Sequence, residues 1–550
     1  MEQEKNSIKN NIKNSEDIIN YIKKNTFNSK DIVYKKLDVE GEEVDIVYNE
    51  SLCDENAISN FIIRSIGNLV SQSLNEKIVN EISNENKTLN ENLKNSDENT
   101  KNKEKANKKV SLKERVDDRK NFNATQKIDI NVILEKLQKN ITIGKSKKID
   151  IETDDIFYYL FSGFTFIIYD TTIIAFGTGA VLDRSISEPT SEKNIKGPKD
   201  SFIENYQINV GLIRKRIKTE KLVLNESQVG RRSKTKIGIL YIQDICRKDF
   251  VDSIIQQIEK IDIDAIIDSN YIMEILEDSN KTDFPTMIST ERPDLVSFYL
   301  LQGRVALVIE NTPFVLVIPA FITDFVNNIE DNYQKDINVF ITKLVRYLAF
   351  VITIFTPAFY VALVAFDQES IPTKLLLSFA TQREGVPFPA YLEAFLMILS
   401  FEILREGDFR VPNSGGSTLS IVGALILGDA AVNAGIVSPI MIIVIAITTI
   451  SGLMFTDINM ANALRKWRVI LLIFASAAGL VGLGVGMILL IINLASTTSL
   501  KKPYTYPIAP LNVDALKKNF LRRKNISLDN KRQKILTDNL TKYRIDKEKS

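Results

Sequence analysis

The sequence contains no histidine and only two cysteines, Cys53 and Cys246. The absence of histidine excludes a Ser-His-Asp triad, a Cys-His pair and any zinc or iron site with histidine ligands. The two cysteines lie far apart and lack CxxC spacing, which disfavours a disulfide framework and a cysteine metal site. Their scarcity fits a reducing compartment. We therefore expect neither a metal nor a cofactor.

Motifs for nucleotide binding and nucleophilic catalysis are also absent. The chain has no Walker A motif, no GxSxG motif and no kinase signature, and the string FGTGAV at residues 176–181 lacks the lysine of a P-loop. Basic runs at 214–216 and 231–232 have no interleaved aromatic residues, and the net charge is only +1. A solvated or salt-bridged surface is therefore favoured over nucleic-acid binding. These absences predict a protein that is not an enzyme.

The N-terminal part of the chain shows helix and strand patterns. Residues 1–14 are predicted to be disordered and lack the apolar core of a signal peptide, so this end is expected in the cytoplasm. Residues 15–82 are assigned to the first part of an α/β subdomain, with Ser15 as the N-cap of its first helix. Residues 83–128 are rich in Asn, Lys and Glu, which predicts a disordered insertion.

The folded pattern resumes at residue 129. Residues 129–230 are assigned to the remainder of the first subdomain and a connector, with a hairpin predicted at Asp170-Thr171. Residues 231–340 alternate strands and helices and are assigned to a second α/β subdomain. The apolar stretch 304–322 is interrupted at Glu310-Asn311, which favours two core strands joined by a turn over a membrane span.

Residues 341–498 are mostly apolar and predict a polytopic membrane domain with about four to six spans. Residues 371–389 within it are amphipathic and are expected to lie at the interface. The predicted fold class is therefore an α/β cytoplasmic N-terminal region of two subdomains followed by a polytopic α-helical membrane domain. Residues 499–550 are assigned to a basic C-terminal tail. The candidate spans are residues 344–366, 389–404, 418–433, 436–455 and 469–494.

The orientation of these spans presents a conflict. Basic residues collect on the cytoplasmic side, so the N-terminal region and the basic tail should both lie inside, which requires an even number of spans. The candidates number five. Either residues 389–404 do not fully cross, or the run 469–494 bends into a hairpin at its glycines. The basic cluster at 465–468 slightly favours the hairpin.

Several charges fall within or beside these apolar runs. In a helix, Glu393 and Glu402 would point to opposite faces, so both can be accommodated only in an assembly or beside water. Glu402 and Arg405 form an i,i+3 pair that can neutralise itself. An ionisable residue inside a membrane suggests a functional role. The alternative is that the charges from Glu402 to Arg410 sit at the headgroup level and mark a helix end.

Small residues recur at helical spacing in two of the candidate spans. Such faces let helix backbones approach closely in lipid. They fit ordinary packing within one chain, or contact between subunits around a pore in which Asp429 or Asn433 faces ions. The positions are Ala424, Gly428, Ala431 and Gly435 in one span and Ala478, Gly482 and Gly486 in another.

Several long motifs, in order, resemble the A subunit of GerA-type spore germination receptors. The resemblance runs from about residue 15 to 515 and is interrupted by the insertion at 83–128. The motifs include VGRRSKTKIGILYI, STERPD, GRVALVIENTPFVLVIP, REGVPFPAYLEAFLMILSFEILREGDFRVP and IVGALILGDAAVNAGIVSP.

The resemblance implies a nutrient-germinant receptor in the inner membrane of a bacterial endospore, with its N-terminal region on the cytoplasmic side. It implies as partners a permease-like B subunit, to which germinant binding is mainly assigned, a lipoprotein C subunit, further copies of the chain and membrane lipid. It also implies that A subunits oligomerise into a cation channel. A scaffold with permeation through the partner subunits stays open, and a secondary transporter is disfavoured because no inverted repeat is visible.

One corner of the sequence departs from the family pattern. The family often has an Ala-Gly pair where this chain has Gly407-Asp408, which adds a charge. Proline fixes φ and glycine frees it, so Pro412 followed by Gly415-Gly416 predicts a stiff and then flexible joint between two helices. We predict that this joint transmits a conformational change to the pore. Its candidate residues are Arg405, Arg410, Pro412, Gly415 and Gly416.

Overall fold

The computed structural model divides the chain into two compact units, one of Met1–Ser185 with Val210–Asn225 and the other of Ile186–Asn209 with Glu226–Ser550. The predicted insertion at 83–128 falls outside the residues that the structure describes. The described residues are 14–39, 41–73, 75–76, 79, 130–140, 145–150, 155–180, 189, 192, 196–277, 282–334, 336–410, 428–520 and a few positions between 532 and 539.

A five-stranded antiparallel sheet forms the centre of the first unit. Its strands are ordered β1-β2-β4-β5-β3. Ile167, Ile174 and Phe176 on its central strands are fully or nearly fully buried against helices on one face. The elements are α1 (Ser15–Asn25), β1 (Ile32–Val39), β2 (Glu42–Asn49), α2 (Ile130–Asn140), β3 (Ser146–Ile149), α3 (Ile156–Leu160), β4 (Phe164–Tyr169) and β5 (Thr172–Gly177).

Two local predictions can be compared with this unit. The hairpin is confirmed: β4 and β5 pair with Tyr169 opposite Thr172, and Asp170 has a φ of 54°, which an aspartate tolerates in a tight turn. The predicted N-cap is wrong by one residue. Asn14 has extended backbone geometry, and its N–H donates to the Asp17 carboxylate at 3.3 Å, so α1 begins at Ser15 with Asn14 as its cap.

A second five-stranded sheet, ordered β6-β7-β9-β10-β8, has helices packed around it. Val305–Ile309 and Val315–Ile318 pair antiparallel and are buried throughout, so the two-strand prediction for 304–322 is confirmed. Helix α4 (Tyr206–Arg216) and strand β6 (Leu222–Val229) each have residues in both units. The elements that follow them are β7 (Thr235–Ile242), α5 (Lys248–Glu259), α6 (Ser269–Leu276), β8 (Ile288–Thr290), α7 (Pro293–Leu300), β9 (Val305–Ile309), β10 (Val315–Ile318) and α8 (Ile322–Val326).

The apolar region begins with α9 (Asp336–Ala365), which has Pro357 inside it. It continues with α10 (Thr373–Arg383), which has no buried residue. The remaining helices are α11 (Ala390–Arg410), α12 (Pro439–Gly452) and α13 (Ile458–Ser496). Among the described residues, 338–365 and 458–496 are helical, long and apolar enough to cross a membrane.

Helix α13 is two helices folded against each other. Ala478 and Gly479 have non-helical backbone angles, and the φ of Gly479 is 61°. A Cβ on Gly486 would lie 2.6 Å from Leu471 Cδ2, whereas a continuous helix would separate these residues by about 22 Å. We call 458–477 the first arm and 480–496 the second arm. The hairpin predicted at the glycines is confirmed, and Ala478 lies at the bend rather than on a face shared with Gly486.

The predicted C-terminal tail is partly folded. Two short strands, β11 (Thr498–Ser499) and β12 (Lys502–Pro503), precede α14 (Val513–Phe520). Leu500, Tyr506 and Ala515 are buried in the core of the second sheet. The first part of the segment 499–550 is therefore a piece of the second unit, because its apolar residues complete that core.

Candidate functional site among the apolar helices

Glu393 lies fully buried near the start of α11. Its Oε1 accepts a hydrogen bond from Arg383 Nη2 at 3.2 Å. Its Oε2 accepts bonds from the Ser438 hydroxyl at 2.9 Å and the Ser438 N–H at 3.1 Å. Ser438 is also the N-cap of α12, so the carboxylate meets one guanidinium and the positive end of a helix. Glu393 thus joins α10, α11 and α12 within one chain.

Glu402, further along α11, lies among three arginines. Arg405 pairs with it along the same helix, which confirms the predicted i,i+3 pair. From the first arm, Arg468 Nη2 reaches Glu402 Oε1 at 3.0 Å and Arg465 Nη1 reaches Oε2 at 3.4 Å. Sequence reasoning noted the basic cluster at 465–468 but gave it no partner, because nothing in one sequence pairs residues that are more than 60 positions apart.

Asp367 follows α9 and holds the bend of the hairpin. Its Oδ2 accepts a hydrogen bond from the Leu480 N–H at 2.8 Å, which caps the second arm with a charged acceptor. A Cβ on Gly479 would lie 2.5 Å from this oxygen and 2.6 Å from Phe366 Cβ, so only glycine fits there. Sequence analysis missed Asp367. A single acidic residue directly after an apolar span was the available signal.

The segment 428–433 is helical and carries two predicted ion-facing residues. Asp429 and Asn433 are exposed and four positions apart, so they share one face. Gly428 faces the Ile442 side chain, and Ala431 packs within the helices. Gly435 is not on the predicted helical face, because the chain turns there with a φ of 66°. Ala424 lies outside the described residues.

The predicted gating corner is only partly described. Arg410 is the last residue of α11, and Arg405 lies in the charge cluster around Glu402. Pro412, Gly415 and Gly416 fall outside the described residues. The role of this corner stays a prediction.

Both ends of the hairpin meet one short segment, residues 282–287, which leads into β8 of the second sheet. We call this segment the junction. Lys466 of the first arm pairs with Asp283, and the Thr282 and Thr497 hydroxyls are 2.9 Å apart at the end of the second arm. Ser499 Oγ donates to the Thr286 carbonyl at 2.7 Å.

Aromatic residues fill the space around the junction. Phe284 and Tyr504 are buried, with ring centroids 6.3 Å apart, and the ring centroid of Phe325 lies 6.4 Å from that of Tyr504. Burial raises the pKa of the Tyr504 hydroxyl well above its usual value, so the hydroxyl stays neutral. The junction is therefore a packed apolar contact with a few polar bonds rather than a flexible linker.

A buried carboxyl lies beside the next strand. Glu192 Oε2 accepts a hydrogen bond from the Thr290 hydroxyl at 2.9 Å. Burial raises the pKa of Glu192 to about 7; Arg292 lowers it and Asp457 raises it. Thr290 and Arg292 belong to the STERPD motif at 289–294, whose Arg292 also pairs with Asp294 at 2.8 Å.

The chain matches the model of a known protein family over most of its length. A family model described as "Bacillus/Clostridium GerA spore germination protein" matches residues 20–535. The chain belongs to the GerA family. The resemblance drawn from its sequence motifs is confirmed.

Relatives of this GerA-family chain carry spore germination names. Spore germination protein KA of Bacillus subtilis is 41% identical over 70% of this chain and 71% of its own length. Spore germination protein GerLA of Bacillus cereus is 34% identical over 70% and 79%. The N-terminal domain of the A subunit of the Bacillus megaterium spore germinant receptor GerK3 is similar at 26% identity, with a TM-score of 0.36, over 56% of this chain and 97% of that one.

Proposed function

We propose that this GerA-family chain is the A subunit of a nutrient-germinant receptor in the inner membrane of an endospore. Its two sheets lie on the spore-core side. Copies of the chain associate into a cation channel that opens when a germinant binds, with a permease-like B subunit and a lipoprotein C subunit as partners. The family match and the spore germination relatives support the receptor role.

The observation that carries the channel proposal is the attachment of the hairpin to the junction. Asp283 holds the first arm and Thr282 meets the end of the second arm. A shift of β8, which follows the junction directly, therefore acts on both arms together. In an oligomer, this contact would convert a rearrangement of the second sheet into a movement of apolar helices.

The same attachment supports an even number of membrane crossings. Helix α9 leaves directly after Ile329–Tyr333 in the second unit, and the second arm returns to the junction at Thr497. Because Asp367 at the end of α9 touches the bend of the hairpin, the end of α9 and the bend lie at the same level. The hairpin supplies the sixth segment that the orientation rule requires.

We assign the ion-facing role to Asp429 and Asn433, which are exposed on one helical face. A ring of carboxylates contributed by several subunits would favour cations. We assign a structural role to Glu393 and Glu402 instead, because each forms an ion pair with an arginine of the same chain. Removing either partner of such a pair leaves an uncompensated charge and lowers stability.

The test is germinant-triggered potassium release from spores that contain the B and C subunits. Asp429→Asn should reduce the release rate and cation selectivity severalfold at normal protein levels. Glu384→Gln removes an exposed carboxylate outside the long helices and should behave as wild type. Glu393→Gln should lower the amount of assembled chain rather than selectivity.

A scaffold is the second candidate function, and the pairing of Glu393 and Glu402 with arginines favours it. A scaffold gathers the partner subunits while ions pass through the B subunit. In that case Asp429→Asn would leave both the rate and the selectivity of potassium release unchanged in a fully assembled receptor. This result would remove the channel assignment from the chain and leave its place in the receptor intact.

A further inference from the structure

A loop that follows the hairpin exposes three large apolar side chains within six residues. Ile508, Leu511 and Val513 are 52%, 68% and 50% exposed. They lie between β12 and the first turn of α14, and we call residues 506–513 the apolar loop. Large apolar side chains that are exposed together on a folded unit mark an interaction surface.

The apolar loop is held in one shape by its own hydrogen bonds. The Asn512 N–H donates to the Pro507 carbonyl at 2.9 Å, and Asn512 Oδ1 accepts from the Ala515 N–H at 3.1 Å. Tyr506 at one end of the loop and Ala515 just beyond the other are buried in the core of the second sheet. The exposed side chains are therefore presented outward by a braced loop and do not result from a frayed chain end.

Helix α9 gives the depth of α14 on the membrane placement proposed above. Arg346 is the last charged residue of α9, and its Nη1 pairs with Asp331 at 2.7 Å. From Arg346 to Ala365 the helix extends about 28 Å, which matches a hydrocarbon layer of about 30 Å. Lys343 lies about 5 Å outside that layer, and its Nζ donates to the Asn519 carbonyl at 2.7 Å. Helix α14 therefore meets α9 at the level of the lipid headgroups.

The apolar loop lies close to this level. Val513 is six positions from Asn519 along α14, a distance of about 9 Å. The same stretch of α9 exposes Phe340 and Ile341, so apolar surface continues beside α14. The segment 498–520 carries four lysines and only one carboxylate. Exposed apolar side chains among lysines are typical of a surface that enters the boundary between headgroups and acyl chains.

We propose that the apolar loop inserts into the inner leaflet of the membrane at this boundary. Ile508, Leu511 and Val513 contact the acyl chains, and the lysines of the segment remain among anionic headgroups. The lipid surface is the occupant because the loop lies at headgroup depth and its flanking charge is opposite to that of anionic lipid. Tyr506 packs on Phe321 with ring centroids 5.5 Å apart, so the inserted loop fixes the height of the second sheet above the membrane. This inference rests on the proposed membrane placement.

The test measures the depth of the loop with one fluorescent label. Cys53 and Cys246 are buried, so Leu511→Cys gives the full-length chain an accessible thiol for an NBD label, and the parent chain measures background labelling. The chain is reconstituted in vesicles of phosphatidylglycerol and phosphatidylcholine with a nitroxide near the headgroup or near the end of the acyl chain. We expect the shallow nitroxide to quench the label about twofold more than the deep one, with weak quenching by aqueous iodide.

Two further label positions calibrate the depth. Ile488→Cys lies about 14 Å from the bend along the second arm and should be quenched more strongly by the deep nitroxide. Ile267 is 71% exposed in the same unit, and the carbonyl of the preceding residue accepts a hydrogen bond from Thr235. Thr235 begins β7 at the end of the sheet away from the junction. A label at Ile267→Cys should therefore be quenched by iodide and by neither nitroxide.

A neighbouring substitution tests whether the apolar side chains cause the insertion. With the label at position 511, Ile508→Ser should reduce shallow quenching by about half, because the loop loses one apolar contact with lipid. Ile267→Ser removes an equally large exposed side chain from the far end of the sheet and should leave this quenching unchanged. Equal effects of the two substitutions would contradict the proposal.

The remaining outcomes distinguish a failed loop insertion from a failed membrane placement. Strong iodide quenching at position 511 would place the loop in water, and protection from iodide and both nitroxides would place it against a second copy of the chain. Either result overturns the proposal while the label at position 488 still reports a spanning hairpin. If the deep nitroxide fails to quench the label at position 488, the membrane placement is wrong and the loop insertion falls with it.

Discussion

Replacing Gly479 by alanine tests whether 458–496 is a hairpin. The backbone angles at this position, φ 61° and ψ −137°, lie in a region open almost only to glycine, where another residue costs about 1–3 kcal/mol. The new Cβ would also meet Asp367 Oδ2 at 2.5 Å and push it from the Leu480 N–H. Loss of that charge-assisted bond costs about 1.5–3 kcal/mol.

We therefore expect Gly479→Ala to lower the free energy of unfolding by about 2.5–6 kcal/mol, the sum of the backbone and hydrogen-bond costs. The measurement is unfolding of the detergent-purified chain, followed by Trp467 fluorescence. Gly484→Ala is the matched control on the second arm, where an added Cβ would meet nothing within 4 Å. It should be neutral or stabilise by up to about 1 kcal/mol, as alanine does inside a helix.

The sign of the effect decides between two structures. In one continuous helix both glycines would be ordinary helical positions, and both substitutions would stabilise the chain. A Gly479→Ala variant as stable as Gly484→Ala would therefore refute the hairpin, its assigned bend and the count of membrane crossings that depends on it.

Two further predictions concern buried carboxyls in the sheet units. The raised pKa of Glu192 means that its contribution to stability is fully present below pH 4.5 and is lost as pH rises to about 7. Glu192→Gln should remove this pH dependence and raise the free energy of unfolding at pH 8 by about 3 kcal/mol, measured in a pH series of unfolding curves. Burial alone would raise the pKa of Asp31, but Arg214, Ser29 and Asn49 lower it on balance, so its stabilising effect is lost only in strong acid. Asp31→Asn leaves Arg214 buried without its ion pair and should cost about 3 kcal/mol. Glu43→Gln breaks an exposed pair with Lys36 and should cost much less. Equal losses of stability in denaturant titrations would contradict this.

Local sequence signals predicted the elements that depend on local physics. Alternating β-branched residues around Asp170 specified a hairpin, and an interrupted apolar stretch at Glu310 specified two strands, because a charge is costly in lipid and cheap in a turn. Residues 264–268 combine Ala and Ile with flanking aspartates, yet this stretch is irregular, and the Asp264 carbonyl accepts backbone bonds from the loop after β6. Apolar composition alone does not decide between strand and loop.

The candidate site was predictable only in part. Glu393 and Glu402 were found because charges stand out in apolar runs, and the Glu402–Arg405 pair followed from helical spacing. The partners Arg383, Ser438 and Arg468 were missed, because they depend on which helices pack together. The hairpin was left as one of two alternatives, since a 26-residue apolar run also fits a single tilted span.

Because both arms contact the junction, a tilt at the junction moves the whole hairpin. The second arm has 17 residues and extends about 25 Å from Thr497 to the bend. A tilt of about 5° at the junction therefore displaces the bend by about 2 Å over that length. Asp367 lies at the far end, so a small rearrangement beside β8 reaches Asp367 as a larger displacement.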